Sequence, residues 1–309
     1  MGDPHGIGPE VLLKTLQRLL PRRTMTPVVF GAAEYLHELY SSLNLDFNWK
    51  DLKLFDVGKC SFPPSWGRVG KDSGQVALNA LRSAILYCRD HEHPLLVTAP
   101  VSKEALYLAG FSDPGQTEYV GSFFECSDPT MVFFSEPLKV LLVTVHIALR
   151  NVVQELTIER IVEKSTLFLG AIKKLGIERP RIAVCGLNPH ASEGGLFGNE
   201  EAQVIIPAMR ELESEFGLGV FLGPYPPDTL FARAVGGEFD GVVAHYHDQG
   251  LIPLKLVAFD SAVNTTLGLP IVRTSPDHGT AFDIAGKGVA DPGSMIAAVE
   301  WGLKLCQPG

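Results

Sequence analysis

The segment GVVAHYHDQG, residues 241–250, ends an apolar run abruptly at two histidines and an aspartate. Val242, Val243 and Ala244 are residues of strand type, and such a run meeting polar groups at once reads as a buried strand opening onto a cleft. His245, Tyr246, His247 and Asp248 could then form a surface loop, a satisfied core pair, or part of a metal or acid/base site. The chemistry depends on what else reaches that cleft.

Apolar runs of this kind alternate with amphipathic helical runs almost to the end of the chain, the pattern of an α/β protein with a largely parallel sheet. In the first part, strands are expected at 27–31, 52–57 and 94–99, and helices at 9–20, 33–43 and 73–89. The last of these carries Val76, Leu78, Leu81, Ile85 and Leu86 at helical spacing, and 58–72 reads as a loop. A second block begins near FSDPGQTEYV, 111–120, whose Asp-Pro-Gly reads as a hinge. Strands at 130–134 and 139–146 are joined by SEPL, so an antiparallel pair is expected. Helices at 158–175, 200–216 and 228–235 then alternate with strands at 181–186, 218–223 and 241–246. The tail reads as an irregular piece, 268–277, followed by helices at 279–288 and 292–305. The opening MGDPHGIGPE is a glycine-rich turn feeding a helix. In α/β proteins such a turn leaves a strand, so a first strand is expected ahead of the numbered chain.

With 309 residues, 46% hydrophobic and 20% charged, the chain can bury a large core and is long enough for two lobes. A net charge of −9 lacks the basic footprint of sequence-independent nucleic-acid binding, but a few local cations would suffice for a small anion. Cys60, Cys88, Cys126, Cys185 and Cys306 are odd in number and never spaced as CxxC, which fits reduced packing residues of an intracellular protein. No apolar run approaches the roughly 20 residues of a membrane span, and no signal pattern opens the chain, so no membrane partner and a cytoplasmic location are expected.

Three histidines share one local logic. His146 ends KVLLVTVH, His190 follows RIAVCGLNPH and His247 follows GVVAHYH, each closing an apolar strand and opening a polar loop. In open parallel sheets, ligands bind beyond the carboxyl ends of the strands. Three imidazoles plus an open position is a catalytic metal pattern, although distance along the sequence does not show convergence in space. The competing reading is hydrogen-bonded structure. His37, His91 and His93 read as solvated, and His5 is left open because of its glycine-rich loop. Lys255, Asn264 and Arg273 form a second polar set, able to bind phosphate or carboxylate or to lie as solvated surface.

Eight motifs in order, GDPHGIGPE, APVSKEAL, GQTEYV, TVHIALRNV, GLNPHASEGG, PPDTLF, YHDQGLIPLK and VNTTLGLPIVRTSPDHGTAFDIAGKG, resemble the 4-hydroxythreonine-4-phosphate dehydrogenase family of vitamin B6 biosynthesis over essentially the whole chain. The resemblance implies a two-lobed α/β/α fold like that of isocitrate and isopropylmalate dehydrogenases, with the active site in the interdomain cleft. Residues 1–115 plus 270–309 would form the cofactor-side lobe, and 116–269 the lobe of metal ligands and dimerisation. It implies metal-dependent, NAD- or NADP-linked oxidation of 4-phosphooxy-L-threonine, then loss of carbon dioxide to give 3-amino-2-oxopropyl phosphate. The metal, zinc, magnesium or cobalt, would fall on His146, His190 and His247 and be shared across a homodimer. Substrate contacts would fall on Gln116, Thr117, Lys255, Asn264 and Arg273, and cofactor contacts on His278, Gly279 and Asp283. Asp248, Asp228 and Lys103 are further catalytic candidates, against a competing reading of capping and packing, and His245 reads as structure.

One position departs from the family pattern. Gln116 stands where the family has histidine; glutamine can donate a hydrogen bond but cannot titrate near neutral pH. Relatives acting on 4-phosphoerythronate, 4-phosphothreonate or an aromatic cis-dihydrodiol carboxylate therefore stay open. From other classes, a non-redox phosphate-dependent acyltransferase, which would need no metal triad, and a non-enzymatic binding module remain as alternatives.

Overall fold

Pro9 lies in the first turn of helix α1 (Gly8–Leu19), where its missing N–H leaves no bond unmade. Leu13, Leu16 and Leu20 recur at helical spacing and pack with Val29, Tyr35 and Leu36. In the computed structural model, which describes residues 1–91, 95–113 and 115–307, this cluster belongs to the first of two compact units. That unit comprises Met1–Ser127 and Leu269–Leu303, and the second comprises Asp128–Gly268 and Lys304–Gly309. The protein has an α/β fold, and among the described residues no helix is long and apolar enough to cross a membrane.

In the first unit, β1 (Val28–Gly31) pairs in parallel with β2 (Lys53–Asp56), and α2 (Ala33–Ser42) follows β1 directly. The long helix α3 (Lys71–Arg89) buries Val76, Ala77, Ala80, Leu81, Ile85 and Cys88. After β3 (Leu95–Val97), Ser102 caps α4 (Lys103–Leu108) by accepting from the Ala105 N–H at 3.2 Å. Helix α5 (Gln116–Ser122) comes next. The parallel partner of β3, Val272–Pro276, arrives only after Asp128–Gly268 of the second unit.

The second unit holds six strands: β4 (Thr130–Phe134), β5 (Lys139–Leu142), β6 (Ile182–Cys185), β7 (Phe221–Tyr225), β8 (Gly241–Ala244) and β9 (Val263–Leu267). Their spatial order is β9-β4-β5-β8-β6-β7. The β4–β5 hairpin is antiparallel, as SEPL implies, and the Ser135 hydroxyl donates to the Leu138 carbonyl at 2.6 Å. Strands β5, β8, β6 and β7 run parallel. Every residue of β8 is buried, which is why it reads as a continuous apolar run. Helices α6 (Val152–Glu155), α7 (Ile158–Lys174), α8 (Ile206–Phe216), α9 (Pro227–Val235) and α10 (His247–Ala258) belong to this unit. Gly250 lets α10 sit directly on the sheet, because a Cβ there would lie 2.5 Å from Leu142 and 2.7 Å from Val140.

Several expectations are corrected. The piece 268–277 is not irregular: it contains β10 (Val272–Pro276), whose β-branched and hydroxyl side chains are mostly buried. No helix forms at 279–288, where Ala281, Gly286 and Gly288 adopt φ of 41°, 76° and 70° and the chain runs in turns until α11 (Gly293–Leu305). The expected hinge contains α5, the 218–223 strand lies at Phe221–Tyr225, and the 200–216 helix opens as a π turn, Glu201–Ile205. His93, read as solvated, Pro114, in the expected hinge, and residue 94, the expected start of β3, lie outside the described residues.

Candidate active site

Beyond β8 the chain turns polar around a buried imidazole. His245 is fully buried; its Nε2 lies 2.6 Å from the Cys185 carbonyl, which can only accept, so this nitrogen carries the proton. Burial pushes its pKa down to about 4, against the opposing pull of that hydrogen bond and of Glu201, so the ring is neutral at pH 7. Gln249 accepts from the His245 N–H at 2.7 Å and donates to the Gly186 carbonyl at 2.8 Å. His245 is thus a structural residue, as the sequence reading has it.

His247 opens α10 rather than a loop, which corrects the expected pattern for this histidine. Its Nδ1 is 2.7 Å from Asp248 Oδ1, so a neutral ring that donates there presents its Nε2 lone pair outward. His146 is brought beside it by continued strand pairing. The parallel register Leu142 to Ala244 extends through Val143 N–H to Ala244 O at 2.9 Å and Thr144 N–H to His245 O at 3.1 Å. His146 then stands two residues beyond Thr144, as His247 stands two beyond His245. The rings are 6.0 Å apart and line one cavity of about 320 Å³ with Tyr246 and Asp248.

His190 is placed differently. It opens a run, His190 to Gly194, in which every φ is positive, between 46° and 68°; four of the five residues are not glycine. Its exposed ring has Nδ1 3.9 Å from Glu193 Oε2. An imidazole nitrogen sits about 2.0–2.1 Å from zinc, and ring centres 6.0 Å apart leave space for one ion between His146 and His247. Two imidazoles lining one cavity fit the donor chemistry of a divalent ion. Among the described residues no three His, Cys, Asp or Glu side chains come together to hold one, and His190 does not join the pair.

In the first unit, Arg273 on β10 is 3% exposed, with Nη2 donating to Thr98 Oγ1 at 2.8 Å and Nη1 to Thr117 Oγ1 at 3.3 Å. Burial pushes its guanidinium down to about 10, with Glu118 opposing, so it stays cationic at neutral pH. Gln116 is the first residue of α5, next to Thr117. His278, Gly279 and Asp283 lie in the turns after β10; His278 Nε2 is buried without a hydrogen-bond partner. Lys103 is exposed at the first position of α4, where a cation opposes the helix dipole.

In the second unit, Lys255 on α10 holds its ammonium 5.6 Å over the Phe259 ring, and Asn264 on β9 has a buried Oδ1 with no hydrogen-bond partner. Asp228 is exposed in the first turn of α9, where a carboxylate favours the helix. His5, left open by its sequence, is buried with Nδ1 2.9 Å from the Arg68 carbonyl. His37 and His91 are exposed against Trp49 and Tyr87. Sequence reading did not single out Glu201 or Gln249, two buried polar residues that hold the segment leading to His190. Gln249 had one signal, its place two residues beyond His247 in the opening stretch.

The family model described as "Pyridoxal phosphate biosynthetic protein PdxA" matches residues 23–302. The chain belongs to the PdxA family. It is 40% identical over 315 residues to the 4-hydroxythreonine-4-phosphate dehydrogenase of Sulfurihydrogenibium sp. (strain YO3AOP1), covering 99% of this chain and 96% of that one. It is 39% identical over 325 residues to the D-threonate 4-phosphate dehydrogenase of Pectobacterium atrosepticum, covering 99% and 97%. Among solved structures, the 4-hydroxythreonine-4-phosphate dehydrogenase of Klebsiella pneumoniae matches with a TM-score of 0.83 and 38% identity, covering 99% of this chain and 98% of that one. As a PdxA-type dehydrogenase the protein is an oxidoreductase, which sets aside the acyl-transfer and binding-module readings.

Proposed function

We propose that this PdxA family member oxidises 4-phosphooxy-L-threonine with NAD or NADP and that the 3-oxo acid then loses carbon dioxide, giving 3-amino-2-oxopropyl phosphate for pyridoxal phosphate biosynthesis. The observation that carries this reading is the His146–His247 pair on one cavity, with Asp248 on the Nδ1 side of His247. A divalent ion such as zinc, magnesium or cobalt, when bound there, lowers the pKa of a substrate hydroxyl and polarises a carbonyl. His146, His190 and His247 are its ligands, divided between the subunits of a cytoplasmic homodimer, so that one chain carries an incomplete set.

The chain's own residues bind and orient. Asp248 keeps the proton on His247 Nδ1 and so holds the other nitrogen ready to ligate. Arg273, cationic and already held by two threonines, receives an anionic oxygen of the substrate with Thr117 and Gln116. Lys255 supplies a second cation and Asn264 a hydrogen-bonding amide. His278, Gly279 and Asp283, in the unit of the cofactor side, contact the nicotinamide dinucleotide that accepts the hydride, and Asp228 and Lys103 serve proton movement.

A second reading is oxidation of D-threonate 4-phosphate, favoured by Gln116, which replaces a titratable imidazole with a neutral amide. The test is nicotinamide reduction with 4-phosphooxy-L-threonine, D-threonate 4-phosphate and 4-phosphoerythronate in parallel, with and without a chelator. Preferred turnover of the first, lost on chelation and restored by a divalent ion, is expected. Turnover of none of the three, or turnover indifferent to chelation, overturns the reading.

A further inference from the structure

The segment Gly186–Asn188, which links β6 to the turn carrying His190, is held by buried side chains on both of its polar edges. On one edge, Glu201 Oε1 accepts from the Leu187 N–H at 2.8 Å and the Asn188 N–H at 2.7 Å, and its Oε2 accepts from Asn188 Nδ2 at 2.9 Å. On the other, Gln249 Nε2 donates to the Gly186 carbonyl at 2.8 Å while its Oε1 accepts from the His245 N–H at 2.7 Å. Glu201 is 1% exposed and Gln249 7%. A carboxylate taken out of water is costly unless its lone pairs are filled, and here three N–H donors fill them.

What this segment holds up is a strained turn. Non-glycine residues in left-handed backbone cost of the order of 1–3 kcal/mol each and persist only where the surroundings over-determine them. His190, Ala191, Ser192 and Glu193 are four in succession. The turn folds back so tightly that a Cβ on Gly186 would lie 2.8 Å from the Ala191 Cα. Gln249 belongs to the first turn of α10, which His247 opens, so one side chain ties the β8 end, the start of α10 and the approach to His190 together.

We propose that Glu201 and Gln249 are positioning residues that anchor the His190 turn, so that each chain presents its His190 in a fixed place, and thereby set the metal affinity of the site that His190 completes. The proposal rests on the reading of His190 and His247 as metal ligands. Neither residue touches the ion; each acts through backbone that it immobilises.

The experiment titrates the metal-free full-length protein with Co²⁺ alone, followed by its visible absorption, and measures backbone hydrogen exchange at residues 187–195 without metal. Glu201→Ala and Gln249→Met are expected to weaken Co²⁺ binding about tenfold or more, the range seen when the groups behind metal ligands are removed, and to speed exchange at Leu187 and Asn188. Glu201→Gln keeps an oxygen for both N–H groups and is expected to recover most of the affinity. If Glu201→Ala does not melt cooperatively, Glu201→Gln and Gln249→Met carry the test. Affinity within twofold of the parent in the clamp variants, while His190→Ala loses Co²⁺, overturns the proposal and leaves the metal reading intact. Unchanged affinity in His190→Ala overturns the reading of His190 as a ligand, and the proposal with it.

Discussion

The two polar centres of the molecule are built on opposite plans. In the first unit, Arg273 is 3% exposed, rises from the second position of a strand and already spends hydrogen bonds on Thr98 and Thr117. In the second, past strand ends, His146 is exposed and His247 half-buried, both lining one cavity, while the bonded His245 is buried. An interior cation must be held in place before anything binds, because desolvation without partners is costly. Side chains at a surface keep their contact with water and need no such partners.

This contrast is most exposed to test at His247. His247→Ala is expected to lower turnover on the order of a thousandfold, since metal assistance contributes several kcal/mol, while thermal unfolding stays near that of the parent. A large drop in melting temperature would show that the pair is scaffold and break the contrast.

His245 probes the scaffold under the pair. Its folded-state pKa, about 4, lies below the ordinary 6.5, so as pH falls the unfolded chain takes up a proton first. Stability from this group is therefore full above pH 6.5, declines between 6.5 and 4, and levels off below; the loss is roughly 3 kcal/mol. Urea unfolding at half-unit pH steps should show this slope in the parent and its absence in His245→Asn. Equal slopes in both would remove the assignment.

Arg273→Lys sharpens the other half of the comparison. Loss of the guanidinium fork is expected to raise KM about 10–100-fold, as for a charged hydrogen bond of about 1.5–3 kcal/mol, and also to lower the melting temperature. An effect on KM with no effect on melting would show that Arg273 is less committed to the fold than its two threonine bonds imply.

How far the sequence reaches can be judged from particular residues. The β4–β5 hairpin was legible because Ser-Glu-Pro-Leu punctuates two apolar runs, and α7 because its buried residues keep helical spacing. The proximity of His146 and His247 was legible only as a shared position beyond strand ends; the pairing of β5 with β8 makes it a contact. Strand β10 was hidden because Thr274 and Ser275 are buried although polar, each in a sequence flanked by proline. The 279–288 helix was misread because left-handed backbone at Ala281 leaves no trace in residue type. The same holds for the left-handed run His190 to Glu193, and the Glu201 and Gln249 bonds to the segment before it come from elsewhere in the chain.

The late return of β10 to pair with β3 has a consequence for synthesis. All six strands of the second unit leave the ribosome before Arg273 does, whereas Thr98 and Thr117 emerge before any of them. The nascent chain thus carries both hydroxyl partners of the cation through the making of six strands before the guanidinium that joins them is synthesised.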